Sequence, residues 1–285
     1  MKHFFFLFSL IAITMCAAPP LLAQDFRVVA IDDAPGRTMN AGIFSSADPE
    51  IVKKYMPDGG APASVSSFVL FAGEDMILFD TALGGEAWQK GLTDLGIKPE
   101  NVKLILITHF HGDHVGGLLR GDARRFPNAK VLVSTPEYDF YLTRERQPQG
   151  MQFGKIRTAY GQDFATFKFD DEVFANSLVT VKALDAVGHT PGHSAFLIES
   201  KQKDTEKMMI LGDLLHAVAL QFPAPEACAS YDVDMEKAVA ARKRILDRVA
   251  QEKIPVGGMH FPPPSIGTIE KNDQGGYEYH AQADR

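Results

Sequence analysis

The sequence predicts a layered α/β fold in which two sheets pack face to face with helices outside. Three observations carry this expectation. Short apolar or alternating runs recur along the chain and read as strands. Helical patterns fall between groups of strands, so that both halves share a coarse strand–strand–helix–strand outline. Several strands end in glycine-containing loops that carry histidine or aspartate. With 285 residues the chain has ample length for a substantial core.

Taken in order, Phe26 to Ile31 reads as the first strand. Ala34 to Gly60, with its Gly, Pro and Asp, reads as a long loop or paired short strands. Val65 to Phe71 and Met76 to Phe79 form a hairpin across Gly73, Glu74 and Asp75. Glu86 to Leu95 is expected to be helical, with Ala87, Leu92 and Leu95 near one face and Gly96 as its stop. Lys103 to Ile107 is an apolar run of the buried-strand type, and Lys130 to Ser134 is another strand. Pro136 to Arg144 is expected to be a helix with Thr135 as its N-cap. Gln147 to Asp171 reads as irregular and aromatic-rich. Leu178 to Leu184, Ser194 to Ile198 and Met208 to Leu211 read as strands. Behind a capping Asp234, Ala238, Ala241, Ile245, Leu246 and Val249 fall at helical spacing through Glu252. Ile254 to Val256 is a further strand, and Ser265 to Tyr279 closes the chain as a hairpin around Gly275 and Gly276.

A composition of 45% hydrophobic and 23% charged residues argues against a disordered chain. The net charge of −7, with no block of Lys and Arg, excludes a nucleic-acid footprint and disfavours an anionic membrane surface as partner. Lys2, the apolar run Phe4 to Cys16 and the small Ala23 have the form of a secretory signal peptide over residues 1–23. The expected mature domain is then residues 24–285, exported and periplasmic. The apolar run is short for a membrane span, so none is expected in the mature chain. Cys16 leaves with the signal, which makes an intrachain disulfide impossible in the expected mature chain and leaves Cys228 alone, read either as a ligand or nucleophile or, as is more common for a lone cysteine, as a small buried hydrophobe.

The densest chemistry lies in Thr108-His109-Phe110-His111-Gly112-Asp113-His114, directly after the Leu104 strand. Imidazole and carboxylate donors in this pattern suit zinc, and also iron or manganese. One turn cannot surround a metal, so further ligands are needed from other strand ends. Gly188-His189-Thr190-Pro191-Gly192-His193, Gly212-Asp213 and Gly257-Gly258-Met259-His260 supply them. The chain has nine histidines, and the five at His109, His111, His114, His193 and His260 sit in these loops.

These residues resemble the metallo-β-lactamase-fold superfamily of hydrolases, whose motif is His-x-His-x-Asp-His followed by a His, an Asp and a final His. Asp80, Thr81 and Gly84 resemble its early strand-end motif. The resemblance implies a four-layer αββα sandwich. It implies one metal on His109, His111 and His193, and a second on Asp113, His114 and His260, with Asp213 bridging. The implied cofactors are two divalent metal ions, zinc first. The implied catalytic residues are Asp213, which holds the pair together, and Asp113, which steers or shuttles a proton. Asp80 is read either as an acceptor that orients a ligand histidine or as a helix cap. For His189 a structural role is favoured over metal binding.

Lactam hydrolases of this superfamily generally lack an aspartate between the last two histidines, so Asp213 resembles the lactonase, phosphotriesterase and glyoxalase-II-like branches. Gly212 to Pro223, Tyr231 to Asp234 and His260-Phe261-Pro262 resemble the methyl parathion hydrolase-like group. The expected reaction is hydrolysis of an ester, lactone or phosphotriester. A glyoxalase-II-like thioesterase, a mono-iron persulfide dioxygenase and a non-catalytic zinc-binding protein stand as alternatives. Phe44, Phe110, His216 and Phe222 are expected to contact substrate, which makes that substrate a small, neutral, hydrophobic molecule. The resemblance also implies homodimers, although no residue pattern here specifies one.

Overall fold

The structure, a computed structural model, describes residues 26–144 and 147–282. The expected signal segment lies outside the described residues. The first half builds a six-stranded sheet. Its members are β1 (Arg27–Asp32), β4 (Ser66–Ala72), β5 (Asp75–Phe79), β6 (Leu104–Leu106), β9 (Lys130–Ser134) and β10 (Phe164–Phe167), adjacent in that order. Two short ribbons stand outside it, β2 (Arg37–Asn40) with β3 (Gly60–Ala63) and β7 (Leu119–Arg120) with β8 (Ala123–Arg124). The helices of this half are α1 (Pro49–Tyr55), α2 (Glu86–Asp94), α3 (Gly112–Val115), α4 (Thr135–Leu142) and α5 (Pro148–Tyr160).

The second half forms a seven-stranded sheet in chain order. It runs through β11 (Glu172–Ala175), β12 (Val179–Asp185), β13 (Ser194–Ser200), β14 (Lys207–Ile210), β15 (Val256–Gly257), β16 (Ile266–Lys271) and β17 (Tyr277–Ala281). Its helices are α6 (Val218–Gln221) and α7 (Met235–Glu252). Period-two alternation explains how one strand feeds two layers. On β4, Phe68 and Leu70 face the other sheet while Val69 faces outward; on β13, Phe196 and Ile198 face inward while Ala195 and Leu197 face α7. The inter-sheet core thus joins Phe68, Phe79 and Leu106 to Val181, Phe196 and Ile210. Trp88, Leu92, Phe153 and Tyr160 cover the outer face of the first sheet, and Ile245, Leu246 and Val249 that of the second. This is the expected αββα sandwich.

Four local expectations need correction. Pro148–Tyr160 is a helix, not irregular chain. Its Gly150 and Gly154 weaken the local helical signal, and burial of Phe153, Ile156 and Tyr160 against the first sheet stabilises it. The 34–60 segment pairs two short strands as expected, but also holds α1, capped by Asp48 with Pro49 at its first position. The cap of α4 is Ser134, whose hydroxyl accepts from the Glu137 amide, rather than Thr135. In α2 the buried face is Trp88 and Leu92, and Ala87 is exposed.

Candidate metal centre

The carboxyl-terminal ends of β5, β6 and β14, with the loops after β12 and β15, converge at one edge of the sandwich. Parallel strands β5, β6 and β9 deliver their following loops to the same side. β14 and β15 do the same for Asp213 and His260. The site is therefore hung on the ends of rigid core strands.

Asp80 sits at the end of β5 in a left-handed backbone conformation, φ 58°, with Ala82 nearby at φ 48°. Aspartate tolerates that region better than most residues. Asp80 is held by the Thr108 amide (2.8 Å), the Thr108 hydroxyl (2.7 Å) and His114 Nδ1 (2.7 Å). It is thus the orienting acceptor behind His114, fixing its proton on Nδ1 and aiming Nε2 into the site. His260 is oriented in the same manner, with Nδ1 donating to the Ser64 carbonyl at 3.0 Å.

The structure relocates one histidine. His193 is fully buried and turned away, its Nδ1 donating to the Ala186 carbonyl (2.8 Å) and its Nε2 accepting from the Asp213 amide (2.9 Å). Both ring nitrogens are consumed by the backbone, so His193 has no atom left for a metal. His189 occupies the position expected of it. Its Nε2 lies 3.2 Å from His109 Nε2 and 3.0 Å from His111 Nδ1, and its Nδ1 meets Asp232 at 2.9 Å. Spacing within the Gly188–His193 turn does not distinguish the two. Asp232 lies in the Tyr231 to Asp234 stretch of the family resemblance, but no role beside His189 is legible for it there. Behind it stands the fully buried Arg242, 3.6 Å away, which also donates to the Leu214 and Pro225 carbonyls.

Among the described residues four overlapping groups of ligand atoms result; two of them centre on His216, beside Asp232 and His189 or beside Asp213 and His260, and the other two carry the His-x-His-x-Asp-His loop. Of these last two, His109, His111, His189 and Asp213 form one; Asp113, His114 and His260 form the other; within each group all atoms lie within 4.8 Å. Asp213 reaches the second group too, with Oδ1 3.1 Å from His114 Nε2 and Oδ2 3.1 Å from His260 Nε2. The donor chemistry fits cations. His109 directs Nδ1 to Thr108 and His189 directs Nδ1 to Asp232, which leaves their Nε2 lone pairs facing each other. Two converging lone pairs repel unless a cation lies between them. His114 Nε2 and Asp213 Oδ1 are likewise buried without a hydrogen-bond partner.

Electrostatics agree. Burial pushes His111 and His189 each down to about 4, so both are neutral donors at neutral pH. Burial would raise Asp213, but His114, His260 and His109 outweigh it and hold the carboxylate well below its usual range. Burial would lower His114, but Asp213, Asp80 and Asp113 overcome it and favour positive charge at that point.

A cleft of about 380 Å³ opens onto the two groups, lined by Arg37, Met39, His111, Asp113, His216 and Tyr231 among others. His216 stands in its wall, with Nε2 3.2 Å from Asp213 and neither ring nitrogen hydrogen-bonded. The three phenylalanines expected at the mouth are not there. Phe44 is packed among Met56, Ala61 and Leu220; Phe110 stacks edgewise on Phe153; Phe222 packs on Phe261 and Tyr279. Apolar rings are drawn into the core, so the phenylalanines that pointed to a neutral, hydrophobic substrate do not line this cleft. Tyr231, Arg37 and Met39 line it instead; Tyr231 falls in the Tyr231 to Asp234 stretch of the family resemblance, while nothing in the sequence pointed to Arg37 or Met39.

The profile of the metallo-beta-lactamase superfamily matches residues 60–252, more than half of the chain. The chain belongs to the metallo-β-lactamase superfamily. Among solved members of similar fold is the hydrolase AbOPH of the beta lactamase superfamily, with a TM-score of 0.79 and 27% identity over 92% of this chain and 97% of that one. AidC, described as a dizinc quorum-quenching lactonase, has a TM-score of 0.75 at 22% identity over 90% and 92% of the two chains, a likeness of fold alone. In sequence the chain is 32% identical over 152 residues to an atrochrysone carboxyl ACP thioesterase of Pseudocercospora fijiensis, covering 52% of this chain and 36% of that protein. It is 32% identical over 109 residues to the N-acyl homoserine lactonase AttM of Azorhizobium caulinodans, covering 36% and 38%. The matches thus span less than half the length of these curated relatives. Among the described residues no helix is long and apolar enough to cross a membrane.

Proposed function

We propose that this metallo-β-lactamase-superfamily chain is a dinuclear-metal-dependent hydrolase of a carboxylic ester or lactone. The observation that carries this reading is the pair of ligand-atom groups with Asp213 in reach of both. His109, His111 and His189 would hold the first metal and Asp113, His114 and His260 the second, and Asp213 lies within reach of both groups. Zinc is the expected ion for such nitrogen and oxygen donors. Once bound, the two ions supply Lewis acidity and lower the pKa of water.

The chain's own residues do the rest. Asp80, Asp232 and the Ser64 carbonyl orient three of the imidazoles through their far nitrogens. Asp113 is the most exposed carboxylate at the site and faces the cleft, where it can take a proton from water or return one to the leaving group. His216 and Tyr231 present a ring nitrogen and a phenol to the same space and orient the substrate's polar atoms. The lactonase relative favours a lactone. The thioesterase relative favours a second reading, an acyl thioester, which the same attack on a carbonyl would cleave. A phosphotriester is a third electrophile of suitable charge. For location, the charged start and apolar core of residues 1–23 support export to a periplasm.

Metal analysis with a panel of a lactone, an aryl ester, an acyl thioester and a phosphotriester tests this reading. Two ions per chain and fastest turnover on the lactone or aryl ester are expected. Asp213→Ala should abolish turnover and reduce bound metal towards one ion. A single iron with dioxygen consumption, or two zincs with no turnover on any arm, would overturn it.

A further inference from the structure

Glu137 lies in the first turn of α4 and is fully buried. It is no part of either ligand group, yet its carboxylate joins the two loops that carry the first one. Oε1 accepts from the Phe110 amide at 2.8 Å. Oε2 accepts from the Thr190 hydroxyl at 2.7 Å and the Gly192 amide at 3.0 Å. Phe110 stands between His109 and His111, and Thr190 directly follows His189. Ser134 reinforces the second loop by donating to the Gly192 carbonyl at 2.6 Å. The packing leaves no slack, because a Cβ on Gly192 would stand 2.1 Å from the Glu137 nitrogen. The other group is oriented from elsewhere, by Asp80 behind His114 and the Ser64 carbonyl behind His260.

We propose that Glu137 is a positioning residue that sets the separation of the 109–111 and 189–192 loops, and so the spacing of the three imidazole nitrogens of the first metal position. This rests on reading that group as a metal position. Three donors converge on the carboxylate, and its ionised form, dominant at about pH 8, accepts from all of them with charge-assisted strength. A glutamine at this point has one acceptor oxygen and an amide that can only donate. Its NH2 would face either the Phe110 N–H or the Gly192 N–H, and one loop would be pushed away. Such a displacement strains one metal position and leaves the other intact.

The test is a zinc titration, at about pH 8 where Glu137 is ionised, of the metal-free full chain against a competing chelator, for wild type, Glu137→Gln and Glu137→Asp, with circular dichroism and thermal unfolding of the metal-free proteins alongside. Wild type should take up two ions. Glu137→Gln should bind one with wild-type affinity and the other about 10–100-fold more weakly, as for loss of other supporting partners. Glu137→Asp, which keeps the acceptors on a shorter arm, should fall between. In a His260→Ala background Glu137→Gln should weaken the remaining ion by the same factor; in a His189→Ala background it should change nothing. Should Glu137→Gln fail to fold, Thr190→Val removes one donor and should show a smaller loss with the same selectivity. Unchanged affinity for both ions, or equal weakening of both, would overturn the proposal. Failure of wild type to bind two ions would instead sink the metal reading itself, and is seen before any variant is compared.

Discussion

His189 and His193 are four residues apart in one turn, and the structure assigns them opposite tasks. His193→Ala removes a ring whose two nitrogens serve the Asp213 amide and the Ala186 carbonyl, at 2.9 and 2.8 Å. Both backbone groups are left buried without a partner. At about 1–3 kcal/mol each, this costs about 2–6 kcal/mol of folding stability. None of the atoms that face the cleft is removed. His189→Ala takes away an Nε2 that faces His109 and His111, while Asp232 keeps its contacts with the Ala229 amide and Arg242. Its effect on the metal-free protein should be smaller, on the order of 1 kcal/mol. The assay is urea unfolding of the metal-free variants together with metal content after dialysis against zinc. His193→Ala should be the less stable protein and retain two ions. His189→Ala should unfold close to wild type and retain one. The reverse pattern, with one ion in a folded His193→Ala and two in His189→Ala, would refute the assignment.

Other expectations follow from the same geometry. Asp232→Asn keeps the shape behind His189 but loses the charge that fixes its tautomer, and should weaken metal binding roughly 10–100-fold in a chelator titration. Gly212→Ala puts a Cβ 2.4 Å from His193 Nε2 on a backbone at φ +58°, and should lower stability by at least about 1 kcal/mol in thermal unfolding. Burial pushes Glu137 up to about 7 from 4.5. The folded chain therefore keeps a proton that the unfolded chain releases. The resulting stability is full below pH 4.5 and is lost as pH rises through 7, an effect on the order of 3 kcal/mol. Unfolding free energies of metal-free wild type and Glu137→Gln across pH 4–8 should differ by this slope, and parallel curves would count against it.

Much of the fold was legible because it rests on local periodicity. The inward alternation of Phe68 and Leu70, and the helical spacing of Ala238 through Val249, are properties of neighbouring residues. Where local propensity and tertiary burial disagreed, the sequence misled. Gly150 and Gly154 speak against a helix, yet Phe153, Ile156 and Tyr160 hold α5 in place through contacts with residues far along the chain. The phenylalanines expected at the cleft mouth failed for a related reason. Position in a loop does not say whether a ring points to solvent, and burial of apolar area draws it inward.

By itself the sequence determined the kind of donors and the strand ends that carry them, because a glycine-flanked histidine or aspartate after an apolar run is a local signal. It pointed to Asp213, His109, His111, Asp113, His114 and His260 as members of one candidate site, and the structure brings these side chains together. Only the tertiary structure decided that His189 and not His193 joins them. It also decided that Asp232, Arg242 and Glu137 stand behind the ligand loops, and that Tyr231, Arg37 and Met39 border the cleft. The physical reason is the same in each case. A ring nitrogen is committed by the partner it finds across the fold, and the partners of His193 are the Ala186 carbonyl before its own strand and the amide of Asp213 after the next.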